Sequence, residues 1–256
     1  MEPGRFRAKL RQGQGVVVTE KVDYEELLPH ELAERLEHRP VGYLPLGTLE
    51  WHGVQNAFGA DFIQARGIFR RAARRFGGVV LPPLWVGPDR IACQEAGPDL
   101  IGMDYADTTT PNRQLPGSCY WVPKGLFLSL VEGLLAQARR AGFRFIVADG
   151  HGPSRTAWAE MVPTWERQFG LSLVSAVRDF GERWPTQQDH AGRNETSIML
   201  AVEPRLVELS RLPRNRAEWP QGVAGEDPRD ATAAYGEELI EKALGLLGAR
   251  LQALGR

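Results

Sequence analysis

Apolar positions along this chain follow two alternating rhythms. Val41 to Leu46 is a nearly continuous apolar run closed by Gly47, and Val79-Val80-Leu81 and Phe143 to Ala148 repeat the form, so each reads as a buried strand. Between these runs the spacing turns helical. Leu32 and Leu36 behind Pro29 predict a helix of about two turns. Ile63, Ile68, Phe69 and Ala72 make one face of a helix over Phe62 to Phe76, stopped by Gly77 and Gly78. Pro123 opens the clearest helix, with Leu126, Leu130, Leu134, Leu135 and Ala138 on one side and Gly142 as its stop. A helix over 154–169 and a strand over 171–177 follow, with Pro163 expected to kink or split that helix. Glu195 to Val202 reads as a helix ended by Pro204, and a last helix starts near Asp227-Pro228 and runs toward Leu254.

Two stretches break the rhythm. Residues 1–20 read as an arm leading into the fold, and residues 82–122, with many Pro, Gly, Asp and Thr, read as a long functional loop region or an insertion. Neither a repeat nor a low-complexity linker divides the chain, so residues 1–256 are expected to form a single domain. Strands alternating with helices predict an α/β sandwich with a largely parallel sheet and helices on both faces. In such a fold the segments after the strands at Leu46 and Ala148 lie beyond the carboxyl ends of the sheet, where ligands bind.

Composition narrows the function without choosing it. With 31 basic and 32 acidic residues the formal charge is −1, which offers no general attraction for nucleic acid or a membrane surface. Arg70, Arg71, Arg74 and Arg75 cluster, but on a helix they read as a solvated face. Cys93 and Cys119 form neither a disulfide framework nor a CxxC pair and fit a reducing, cytoplasmic setting. The charged first dozen residues and the absence of a long apolar run predict neither a signal peptide nor a spanning helix. No Walker A or GxGxxG pattern follows a strand, which disfavours a nucleotide-dependent enzyme.

Three of the five histidines sit in short polar patches that also carry carboxylates, each after an apolar run. The patches are Gly47-Thr48-Leu49-Glu50-Trp51-His52 with Asp61 beyond it, Asp149-Gly150-His151-Gly152, and His190-Ala191-Gly192-Arg193-Asn194-Glu195-Thr196-Ser197. Imidazoles and carboxylates together are the ligand chemistry of a hydrolytic metal centre. Glu50 and His52, two apart in an extended segment, aim to the same side. Gly150 and Gly152 let the backbone turn sharply around His151. Each patch alone has a plain structural reading: Asp61 as a helix cap, Asp149 as a cap or as an acceptor orienting His151, Glu195 as the acid of a helix's first turn. Their coincidence favours a shared site.

In order, Leu44-Pro45-Leu46-Gly47-Thr48-Leu49-Glu50-Trp51-His52-Gly53, Asp61, Pro116-Gly117-Ser118, Asp149-Gly150-His151-Gly152, and His190-Ala191-Gly192 with Glu195-Thr196-Ser197 resemble the creatininase (creatinine amidohydrolase) family. The resemblance runs from about residue 41 to about residue 203. It implies a three-layer αβα sandwich, often a homo-oligomer (a hexamer among the options), with two divalent metal ions (Zn, Mn or Fe) that hydrolyse the C–N bond of a small cyclic or formyl amide. By position it implies Glu50, Asp61 and His151 on one metal, and His52 with a bridging Asp61 on the other. Creatininase has a glutamate two residues after its counterpart of His151, but this chain has Pro153, which makes Glu195 the candidate for the vacancy. Relatives often carry a second histidine where this chain has Gln55. His190, not needed as a ligand, is the candidate proton carrier, and Trp184 and Trp121 are candidate walls of the substrate pocket. Two other readings follow: a relative that opens a cyclic ketone or lactone, and a non-catalytic binding or regulatory relative.

Overall fold

The structure, a computed structural model, describes residues 21–254. The arm expected over residues 1–20 lies outside the described residues. Its elements run α1 (Pro29–His38), β1 (Val41–Leu46), α2 (Ala60–Phe76), β2 (Val79–Val80), β3 (Ile91–Ala92), β4 (Leu100–Ile101), α3 (Lys124–Ala141), β5 (Phe145–Gly150), α4 (Gly152–Phe169), β6 (Ser172–Ser175), α5 (Arg193–Val202) and α6 (Ala233–Leu254). The main sheet is fully parallel with order β2-β1-β5-β6, so the two strands that feed the histidine patches are central neighbours, with Leu46 paired to Gly150.

Alternation along the strands divides the core in two. Val41, Tyr43, Val80, Val147 and Val174 point to one face and pack with Ile68 and Phe69 of α2, Ile198 of α5 and Ile240 and Leu247 of α6. Leu44, Leu46, Val79, Ile146, Ala148 and Leu173 point to the other and pack with Phe127 and Val131 of α3 and Trp158, Val162 and Trp165 of α4. Helices therefore cover both faces, as the alternating pattern predicts.

Four local expectations differ from the structure. The buried side of α3 is Phe127, Val131 and Leu135, while Leu126, Leu130 and Leu134 are exposed. Both rows have period four, so spacing alone does not say which one faces the sheet. Pro163 does not split its helix, which runs unbroken from Gly152 to Phe169 with Pro163 at an exposed position. Strand β6 ends at Ser175, where the Asp179 carboxylate accepts from the Ser175 N–H and the chain curls into a helical turn over Ala176–Phe180. At Asp227-Pro228 there is only a short turn, closed by Asp227 accepting from the Arg229 N–H. Helix α6 begins after it, where the Thr232 hydroxyl accepts from the Tyr235 N–H. No helix is long and apolar enough to cross a membrane, among the described residues.

Candidate metal centre

The site is assembled where β1 and β5 end side by side. The His151 N–H donates to Leu46 O at 3.1 Å, which locks the start of α4 to the end of β1. Gly150 makes this junction possible: its φ is +140°, and a Cβ there would meet Leu46 O at 1.9 Å. The segment after β1 is stitched to the Pro116-Gly117-Ser118 element, since the Trp51 N–H donates to Ser118 Oγ at 2.8 Å and Cys119 exchanges backbone bonds with Leu49. Glu50 and His52 are thereby held facing inward, both buried.

Two groups of ligand-type atoms form, each with its atoms within 4.8 Å of one another: Glu50, Asp89 and His151, and His52, Asp61 and Glu195. In the first, His151 Nε2 lies 3.5 Å from Glu50 Oε2 and 3.5 Å from Asp89 Oδ2. In the second, His52 Nε2 lies 3.4 Å from Asp61 Oδ2 and 3.8 Å from Glu195 Oε2. Glu50, His52 and His190 form a third such group that overlaps the other two.

Hydrogen bonding at the far side of each ring fixes which nitrogen faces the cluster. His52 Nδ1 is 3.0 Å from Glu50 O and donates to it, so Nε2 is the nitrogen turned toward the carboxylates. His151 Nδ1 donates to Ser154 Oγ at 2.9 Å, and that hydroxyl passes its own proton to Gly47 O at 3.3 Å. This is how metal-binding imidazoles are held. Five buried atoms in the two groups lack a hydrogen-bond partner: His52 Nε2, Asp61 Oδ2, Asp89 Oδ2, His151 Nε2 and Glu195 Oε1. Buried polar atoms are rarely left so, and five in one cluster with the donor set of a divalent cation fit such an ion.

Three carboxylates near the site have separate roles. Asp189 accepts from the N–H groups of Asn194 at 2.7 Å and Glu195 at 3.1 Å, so it starts α5 and frees Glu195 from that role. Among the described residues Glu195 accepts only from the Ala191 N–H through Oε2, at 2.7 Å. Asp149 neither orients His151 nor caps α4; it receives Trp184 Nε1 at 2.6 Å, Thr186 Oγ1 at 3.0 Å and Arg155 Nη1 at 3.3 Å.

The tryptophan expectations are corrected by this packing. Trp184 is fully buried, stacked on Phe180 with ring centroids 4.9 Å apart, and belongs to the core rather than the pocket wall. Trp121 is half-buried beside Gly87 and does not line the cleft over the cluster, although Val122 does. His190 does line that cleft. Its ring stacks on His52 at 4.5 Å, and its Nε2 donates to Trp51 O at 2.7 Å. Gln55, which stands where relatives often carry a histidine, is a structural residue: its amide donates to Ala191 O at 2.7 Å and braces the turn between His190 and Glu195.

Two residues of the site escaped sequence reasoning. Asp89 comes from the 82–122 region, with no histidine nearby in sequence and no periodic context to signal it. Its carboxylate is held against the cluster by the turn at Gly102, whose φ is +58° and where a Cβ would meet both Asp89 Oδ2 and Glu50 Oε1 at 2.6 Å. Gln187, in the left-handed region at φ +56°, donates from Nε2 to Asp61 Oδ1 at 2.6 Å. Its signal is conformational and invisible in the sequence.

Packing four carboxylates together out of water shifts their titration. Burial pushes Glu50 up to about 8, with Asp89 adding to the shift against the pull of His151. Burial likewise raises Glu195 well above the usual carboxylate range. His52 rises to about 10, because Asp61 and Glu195 outweigh the burial of its charge. His151 is raised by Asp89 and Glu50 in the same way, and Asp61 and Asp89 are lowered by the histidines they face, in each case against burial. Burial and the neighbouring His52 push His190 down to about 3.

These shifts predict how the metal-free protein responds to pH. Glu50 and His52 bind protons more tightly folded than unfolded, so the stability they contribute is lost as pH rises toward their folded values. The lowered groups Asp61, Asp89 and His190 have the opposite sign, but they act below their ordinary values of 3.8, 3.8 and 6.5. Between pH 6.5 and pH 8 the metal-free protein is therefore expected to melt at progressively lower temperature. Added Zn or Mn should restore more stability at the upper end, since it competes with fewer protons there. Paired melts of chelated and reloaded protein across that interval check both signs.

Known proteins share this fold. The sequence profile of the family Creatininase, described as creatinine amidohydrolase, matches residues 25–251. The chain belongs to the creatininase family. Creatinine amidohydrolase of Pseudomonas putida is 26% identical over 188 residues, just under two thirds of each protein at 66%. A solved creatininase described as its Mn form matches with a TM-score of 0.69 at 21% identity, over 91% of this chain and 98% of that one. A creatininase variant described as Zn-Zn type gives a TM-score of 0.69 at 21% identity, over 92% and 98%. At that identity the structures support the fold, which is the α/β architecture expected.

Proposed function

We propose that the chain is a metal-dependent amidohydrolase that uses two divalent ions, drawn from Zn, Mn or Fe, to hydrolyse the C–N bond of a small cyclic or formyl amide. The observation that carries this reading is the set of five buried, unsatisfied ligand atoms on His52, Asp61, Asp89, His151 and Glu195. Glu50, Asp89 and His151 would hold one ion, and His52, Asp61 and Glu195 the other. Asp61 would offer the second ion its unpartnered Oδ2, while Gln187 donates to its Oδ1. Charge supports two ions: Glu50, Asp61, Asp89 and Glu195 bring four negative charges, which two divalent cations match with both imidazoles neutral.

When bound, such ions lower the pKa of a water and polarise a carbonyl. The chain's own residues supply the rest. His190 is neutral near pH 7, and the Trp51 carbonyl holds its Nε2 proton, which leaves Nδ1 to take a proton from the attacking water and return it to the departing nitrogen. Gln187 fixes the rotation of Asp61, and Ser154 fixes that of His151.

Elemental analysis of metal-replete protein should find two ions per chain, together with hydrolysis of at least one member of a panel of cyclic ureides and formamides. Fewer than one ion per chain would leave the non-catalytic reading in its place. Cleavage of lactones in the absence of any amide cleavage would replace the bond assigned here.

A further inference from the structure

The cleft over the cluster encloses about 620 Å³, within the range of roughly 300–1,000 Å³ typical of small-molecule sites, so it has room for more than one amide group. Its charged lining is mostly accounted for. Glu50 and Asp89 belong to the metal cluster, Lys124 is ion-paired with Glu160, and the Asp189 carboxylate is held by the first N–H groups of α5. Arg90 is the exception. Among the described residues no carboxylate pairs with it, and its guanidinium lies 5.8 Å from the centre of the Tyr105 ring. Its backbone is pinned on both sides: the Arg90 N–H donates to Asp89 Oδ1 at 2.6 Å, and Arg90 O accepts from the Gly102 N–H at 3.0 Å. The cation is thus mounted on the residue next to Asp89, at the rim of the cleft.

We propose that the substrate carries a carboxylate beside its scissile amide and that Arg90 receives it; the inference rests on the amidohydrolase reading and names the substrate class. A guanidinium presents parallel N–H donors that match a carboxylate in a bidentate pair. The choice of a carboxylate over a phosphate follows from charge, because Arg90 is the single unmatched cation among the described residues lining the cleft, whereas a dianion calls for two. Once two divalent ions offset the four buried carboxylates, the positive charge of Arg90 is what remains to select a ligand. Arg90 is exposed, so with a neutral amide its charge stays with water, whereas an anionic one would exchange that water for a paired carboxylate.

The test uses the full metal-loaded chain and two matched pairs, N-formylglycine against N-formylglycinamide and hydantoin-5-acetic acid against hydantoin-5-acetamide. Calorimetric titration should show the carboxylate member of at least one pair binding about 10-fold or more tightly, the scale of a charge-assisted hydrogen bond. Arg90→Gln should erase that difference with metal content unchanged, and Arg90→Lys should keep part of it, since the charge stays and the fork is lost. No carboxylate preference in either pair, or a preference that Arg90→Gln leaves intact, overturns the proposal. Product analysis separates the two ideas. An Arg90-dependent preference without C–N cleavage keeps the subsite and removes the amidohydrolase reading, whereas cleavage of the amides without the preference does the reverse.

Discussion

Asp89→Ala is expected to remove one of two metal ions per chain and to lower turnover by roughly 10³-fold or more. The magnitude follows from the several kcal/mol that a catalytic cation contributes, at about 1.4 kcal/mol for each factor of ten. Asp89 is a demanding test because nothing in the sequence singles it out, while its Oδ2 lies 3.5 Å from His151 Nε2 and lacks a hydrogen-bond partner. The loss should be selective: His52, Asp61 and Glu195 form a separate group that the substitution does not touch. Metal content and turnover measured on one preparation decide the matter. Retention of both ions at unchanged affinity would leave Asp89 as a charged neighbour of His151 only, and the first ion would then depend on Asp61, as the family resemblance implies.

Replacing His190 with Ala should keep both ions and the fold but cost about 10²–10⁴ in turnover, the usual range for lost general acid–base help. The ring is well placed to carry a proton, since it lines the cleft, stacks on His52, and is held in one tautomer by the Trp51 carbonyl. It also stands close enough to Glu50 and His52 to share an ion with them. The two roles separate cleanly in the measurement. Loss of an ion would make His190 a ligand, and unchanged turnover would remove it from the chemistry.

Much of the architecture was legible in the sequence because it depends on local rules. Buried parallel strands are short apolar runs, amphipathic helices carry a period near four, and Gly47, Gly77, Gly78 and Gly142 mark where elements stop. Glu50, His52, Asp61, His151 and Glu195 could be nominated for a similar reason: they follow strands or stand at helix starts, and an α/β sheet gathers such positions at the carboxyl ends of its strands; His190 came with the Glu195 patch. Where two helical rows were equally apolar, as on α3, the period could not tell which one meets the sheet, and Leu126, Leu130 and Leu134 ended outside. Trp184 illustrates the same limit, since a large aromatic can serve a core or a pocket, and its bond to Asp149 decides for the core.

By itself the sequence determined the strand–helix alternation, the end of the sheet that bears the candidate site, the donor chemistry gathered there and the family to which the chain belongs. The tertiary structure alone decided how the donors are grouped, that Asp89 joins His151, that Asp189 relieves Glu195 of capping α5, and that Gln187 holds Asp61. The physical reason is range. Strand and helix signals arise from residues a few positions apart, whereas Asp89 and His151 are 62 positions apart, and Asp61 and Gln187 are 126 apart. Contacts between such distant positions leave no periodicity in the chain, and they exist only once the sheet has closed.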